Sequence, residues 1–184
     1  IQGWEKDPVF LKYMRHPIFR DLTQKLIGDQ VSIYRAMFMN KPPWNGTNLP
    51  YHQDGGSGWG LSSYRANQFV TVWTAIDDAQ TENGCVQVIP GSHKLGLLSD
   101  RGHTITEEQV KEYAPEEKSV YLEAQMGEIF VLHNFLLHKS GINQTNKPRR
   151  GFSVCYMDGT ITRINNPNHK FPVLFGENAI KITG

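Results

Sequence analysis

His52 and Asp54 stand one residue apart in "NLPYHQDGG", and an imidazole beside a carboxylate can fill two positions of one metal ion. Side chains alternate faces along a β-strand, so on a strand through this segment both would project one way while Gln53 faces the other. Two histidines and one carboxylate on one octahedral face, with three positions open, form the donor set of non-haem iron(II) oxygenases. The pair therefore needs a third ligand from elsewhere, because H-x-D alone also arises by chance. The glycines that follow, "GGSGWG", lack the Lys-Ser/Thr of a phosphate-binding loop.

Most of the remaining histidines have a simpler reading. His16 precedes Pro17 at a helix break, His103 and His169 lie in polar loop segments, and His93 ends a tight turn, "VIPGSHK". His133 sits inside "IFVLHNFLLH" and reads as a partly buried, hydrogen-bonded side chain. His138 closes that run, and Arg149 and Arg150 open the next apolar segment eleven and twelve residues later. That gap suits a hairpin projecting histidine and arginine into one cavity. Iron(II) that binds O2 takes a chelating, electron-rich co-substrate in its open positions. 2-Oxoglutarate offers a keto-acid at one end and a free carboxylate at the other. A buried carboxylate calls for a charged fork, which arginine's planar guanidinium supplies. One arginine of the pair reads as solvated on the hairpin edge.

The elements that must carry these residues are legible from periodicity. Apolar residues three to four apart between Asp7 and Gly28 predict two short helices separated by Pro17. A third helix is expected after Thr106, its N-cap. Strands are expected at 30–40, 67–76, 84–93, 118–124, 127–135 and 149–157, broken at Gly84, Pro90-Gly91, Gly127 and Lys147-Pro148. Short strands with long loops after a helical lead-in predict an all-β core with flanking helices: a double-stranded β-helix, the jelly roll of cupins.

The bulk composition narrows the classes. With 184 residues and a net charge of +1, electrostatics give no case for nucleic acid or an anionic membrane. No apolar run approaches the roughly 20 residues of a membrane span. Cys85 and Cys155 lie in apolar strand-like runs and are expected to be buried free thiols, which favours the cytoplasm. Asn45 and Asn143 match the glycosylation sequon, a short and unspecific pattern. Oligomeric state leaves no signal in the sequence.

From Ile33 to Tyr156, three segments occur in an order that resembles the phytanoyl-CoA dioxygenase family of Fe(II)/2-oxoglutarate oxygenases. They are "NKPPWNGTNLPYHQD", "VWTAIDDAQTENGCVQVIPGSHKLG" and "GEIFVLHNFLLHKSGINQTNKPRRGFS". The resemblance implies His52, Asp54 and His138 as iron ligands and catalytic centre, with Arg149 on the distal carboxylate of 2-oxoglutarate. Strand parity agrees: Arg149 shares a face with Gly151, Ser153 and Cys155, and Arg150 with the bulkier Phe152, Val154 and Tyr156. It further implies Ser140 and Trp73 beside the co-substrate and, on strand 31–39, Tyr34 at its other end.

The implied cofactors are Fe(II), 2-oxoglutarate and O2. The implied reaction is hydroxylation of an unactivated C–H bond in a small molecule, with release of succinate and CO2. Asp54 occupies the position that a halogenating relative would leave small. The stretch after Asp54 does not map onto coenzyme A-ester enzymes, which speaks against a thioester substrate. Trp44, Trp59, Tyr64 and the 55–65 loop are expected to frame the entrance. The chain reads as a single domain over 1–184, with a shortened helical lead-in at 1–28 and a jelly-roll core at 29–184. Two other readings stay open: a non-oxidative cupin-type isomerase or epimerase, and a non-catalytic binding module. The first has no use for Arg149 at this spacing, and the complete triad speaks against the second.

Overall fold

In a computed structural model, residues 4–55, 60–63, 68–99 and 104–181 are described. Helices α1 (Pro8–Met14) and α2 (Pro17–Leu26) form where the apolar spacing predicts them. Asp7 caps α1 by accepting hydrogen bonds from the amides of Val9 and Phe10, and Pro17 opens α2 at a position that needs no N–H donor. Thr106 starts α3 (Glu107–Tyr113) in a reciprocal capping box with Gln109.

Among the described residues the strands are β1 (Val31–Lys41), β2 (Leu49–His52), β3 (Phe69–Ala75), β4 (Val86–Val88), β5 (Val120–Leu122), β6 (Ile129–His133), β7 (His138–Ser140), β8 (Arg149–Asp158) and β9 (Val173–Phe175). The chain divides into two compact units. Residues 1–37, 60–72 and 153–184 form the first, and 38–59 and 73–152 the second. In the first unit β9 pairs antiparallel with β1, and the Tyr156 hydroxyl, fully buried, donates to the Met14 carbonyl at 2.9 Å. The second unit contains a four-stranded antiparallel sheet ordered β2-β7-β4-β5, and beside β6 the ends of β3, β8 and β1 in that order. Its core gathers Trp73, Ala75, Cys85, Val86, Val88 and Leu132.

Three expectations need correction. The strand expected at 127–135 ends at His133, and the run that His138 closes breaks at 134–137, giving β6 and β7. His138 and Arg149 are not on a hairpin, because β7 pairs with β2 and β4 while β8 lies between β3 and β1. The loop between them changes sheets, which a gap length cannot reveal. β9 is a strand that periodicity missed, since "VLF" between Pro172 and Gly176 is too short to show alternation. Cys85 and Cys155 are free and buried, as expected. Asn143 has no exposed surface, and its amide donates to the carbonyls of Lys41 and Lys147, so its sequon match is structural.

Candidate metal centre

β2 ends at His52, so Asp54 sits in a bend rather than on a strand. The two side chains still converge, for a reason other than strand parity. Gln53, with no exposed surface, donates to the carbonyls of Gly96 (2.8 Å) and Phe135 (2.7 Å) and accepts from the Leu98 amide (2.8 Å). The Asn134 amide donates to the Asp54 carbonyl at 2.8 Å. These buried bonds pin the backbone on both sides of the aspartate, so its carboxylate is directed by the turn. Neither Gln53 nor Asn134 was identified from sequence, although the glutamine's place between two candidate ligands was the available signal.

β2 and β7 pair so that His52 lies opposite His138. Their ring centroids are 4.0 Å apart, and His138 Nε2 is 4.0 Å from Asp54 Oδ1. One ligating atom from each of His52, Asp54 and His138 falls within 4.8 Å of the other two, and all three residues are buried. Each imidazole is oriented by a 2.9 Å bond from Nδ1, to the carbonyl of Pro50 for His52 and of Leu136 for His138. A carbonyl only accepts, so Nδ1 carries the proton and the Nε2 lone pair is left for a metal. Two imidazoles and a carboxylate with their ligating atoms this close fit a divalent metal. His133 is not in this group: its Nδ1 accepts from the Phe135 amide and its ring packs 5.1 Å from that of His93.

The residues expected around the co-substrate fall into two sets. Ser140 is buried two residues beyond His138 on β7, opposite Val86 of β4. Two residues before Val86 in the chain, the Gly84 carbonyl accepts from Arg149 Nη2 at 2.6 Å. Gly84 has φ +76°, and a Cβ there would stand 2.5 Å from the Gly141 carbonyl oxygen, so only glycine holds this turn. From the His138–Val88 pair to Gly84 is four residues, roughly 13 Å at strand rise. Arg149 is 1% exposed, and its Nε and Nη1 have no hydrogen-bond partner among the described residues. Its Cζ lies 5.6 Å from the ring of Trp73, whose Nε1 is also buried and unpartnered. Trp73 stacks on Phe130 and packs over Gly151.

Burial lowers the Arg149 pKa to about 10 and, with repulsion from Arg149 second, that of Lys41 to about 8. Burial pushes the Cys85 thiol up to about 11. Arg150 follows the parity argument: it is exposed and holds Asp77 through Nε and Nη2 at 2.7 Å each. That pairing keeps the Asp77 carboxyl below its usual range.

Tyr34 lies in the first unit, its ring 5.9 Å from that of Phe171. Trp44 is 71% exposed. Trp59, Tyr64 and His103, and most of the 55–65 loop, fall outside the described residues. Among the described residues no helix is long and apolar enough to cross a membrane.

Comparison with known proteins agrees with this geometry. A probable phytanoyl-CoA dioxygenase of Caenorhabditis elegans is 30% identical over 99% of this chain and 61% of its own length. The peroxisomal phytanoyl-CoA dioxygenase of Rattus norvegicus is 28% identical over 85% of this chain and 48% of its own length. The chain thus spans about half to three-fifths of these relatives. Among solved structures, the non-haem monooxygenase ThoJ in its apo form superposes with a TM-score of 0.76 at 26% identity, over 91% of this chain and 61% of that one. The fold is accordingly the cupin-like jelly roll of non-haem oxygenases. The profile of the phytanoyl-CoA dioxygenase family (PhyH) matches residues 2–151, and this chain belongs to that family.

Proposed function

We propose that this chain is the iron-binding core of an Fe(II)/2-oxoglutarate-dependent oxygenase that hydroxylates an unactivated C–H bond of a small molecule. The observation that carries the reading is the buried Arg149 guanidinium with two unpartnered donors, in the same unit as the His52, Asp54 and His138 triad. A buried cation left without an anion is costly unless a ligand supplies one. Unpartnered donors on Arg149 and on the indole of Trp73 fit a carboxylate, and the donor set of the triad fits iron(II).

In this reading His52, Asp54 and His138 hold the metal, and the carbonyls of Pro50 and Leu136 keep both imidazoles in the ligating tautomer. Arg149 grips the distal carboxylate of 2-oxoglutarate, and the Gly84 carbonyl fixes the guanidinium while that happens. Ser140 lies between the two ends, and Trp73 walls the co-substrate off from water. Iron(II) with 2-oxoglutarate supplies oxidation of a C–H bond by O2, coupled to decarboxylation of the co-substrate to succinate and CO2. The residues named here bind, orient and exclude water. A non-oxidative isomerase would need the triad but not the arginine.

The test is turnover in air with Fe(II), 2-oxoglutarate and a panel of small molecules. Succinate should form in step with hydroxylated product from at least one of them, and slowly without substrate. No succinate under any condition would remove the proposal.

A further inference from the structure

β1 and β8 are neighbours in their sheet, and the rings of Phe38 and Phe152 meet across them at 4.8 Å. Three residues after Phe38 is Lys41, and three before Phe152 is Arg149. Antiparallel pairing brings those two to the same end of the strands, on the face opposite the phenylalanines. The segment leading into β8 is tied to the same end, since the Asn143 amide bridges the carbonyls of Lys41 and Lys147. Both cations are buried, Lys41 to 7% and Arg149 to 1% exposure. Neither forms an ion pair among the described residues. Lys41 Nζ donates to one acceptor, the Thr47 carbonyl at 2.6 Å, and keeps two hydrogens in hand.

Two like charges side by side in a dry site repel each other and call for a shared anion. We infer that Lys41 is a second cation of the co-substrate site, holding the distal carboxylate of 2-oxoglutarate together with Arg149. The inference rests on the function proposed above and adds a specificity determinant to it. Lys41 makes the site select a 2-oxo acid with a second carboxylate over one without. Burial, and after it the Arg149 charge felt at Lys41, lower the Lys41 pKa, as expected of a cation pair placed to receive an anion. The competing role is a tether. Gly46 packs on the Lys41 side chain and Thr47 accepts from it, so the lysine also holds the 42–48 loop.

The test compares 2-oxoglutarate with 2-oxobutyrate, which lacks the distal carboxylate, in anaerobic titrations of the Fe(II)-loaded chain. Lys41→Gln keeps a donor for Thr47 without the charge. It should weaken 2-oxoglutarate binding at least tenfold, leave 2-oxobutyrate within twofold, and hold Tm within about 2 °C. Lys41→Arg should restore 2-oxoglutarate affinity to within threefold of the parent. Unchanged 2-oxoglutarate affinity in Lys41→Gln, or equal weakening for both acids, would reduce Lys41 to a tether and overturn the inference while Arg149 keeps its role. A parent chain that binds neither acid would overturn the proposed function along with it.

Discussion

Gly151 is where the packing against Trp73 has no spare volume. A Cβ built there would stand 2.4 Å from Trp73 Cζ2, 2.7 Å from Cε2 and 3.0 Å from Nε1. The first two distances are shorter than packed atoms tolerate and the third is tight, and Trp73 cannot swing away because it is 2% exposed and stacked on Phe130 at 5.9 Å. Overpacking of this kind costs about 1–3 kcal/mol. Alanine in place of glycine returns about 0.5–1 kcal/mol of strand propensity. A 2.4 Å clash against a locked ring belongs to the upper part of the overpacking cost, about 2–3 kcal/mol. The net for Gly151→Ala is a loss of about 1–2.5 kcal/mol, which for a chain of this size lowers Tm by roughly 2–10 °C. Gly141→Ala is the control, since nothing lies within 4 Å of a Cβ there. Thermal unfolding by circular dichroism reads both. Trp73→Phe removes the clashing atoms, so Gly151→Ala should cost less in that background than alone. A Tm for Gly151→Ala within 1 °C of the control, or strict additivity with Trp73→Phe, would refute the packing argument.

Two further expectations follow from buried polar groups. Gln53→Leu strands the carbonyls of Gly96 and Phe135 and the amide of Leu98, and should cost about 3 kcal/mol or more in urea unfolding. A loss under 1 kcal/mol would mean those bonds do not hold the aspartate turn. The second is pH dependence in the metal-free chain. Lys41 has a folded pKa of about 8 against the ordinary 10.5 of lysine, so between those values the unfolded chain binds the extra proton and stability rises with pH. Cys85 has the opposite sign: folded at about 11 against 9.0, its contribution is full below 9 and is lost as pH climbs toward 11. Stability should therefore rise from pH 8 to 9 and flatten above it. Lys41→Met should remove the rise and Cys85→Ala the flattening; a curve that both substitutions leave unchanged would contradict the assignment.

What sequence could and could not reveal here has physical reasons. Arg149 and Arg150 were separable because adjacent residues of a strand face opposite ways, and the small residues Gly151 and Ser153 share a face with Arg149; in β8 Arg149 is buried and Arg150 exposed. Pro17 and Thr106 set helix boundaries through local chemistry, which needs no tertiary information. The same alternation argument was right about His52 and Asp54 for the wrong reason, since the strand stops at His52 and Gln53 shapes the turn. Sheet membership is non-local: nothing in the residues between His138 and Arg149 says that the loop crosses from one sheet to another. Lys41 was passed over because "NKPP" reads as the end of a strand. Its partner across the sheet is more than a hundred residues away.

The most direct measurement is an anaerobic titration of 2-oxoglutarate into the Fe(II)-loaded chain, followed by the visible charge-transfer band of the chelated co-substrate. The account predicts a saturable one-to-one band, absent in His138→Ala and Asp54→Ala, present in His133→Ala, and shifted to much higher 2-oxoglutarate concentration in Arg149→Met. No band in the parent, or a band lost in His133→Ala and kept in His138→Ala, would contradict it.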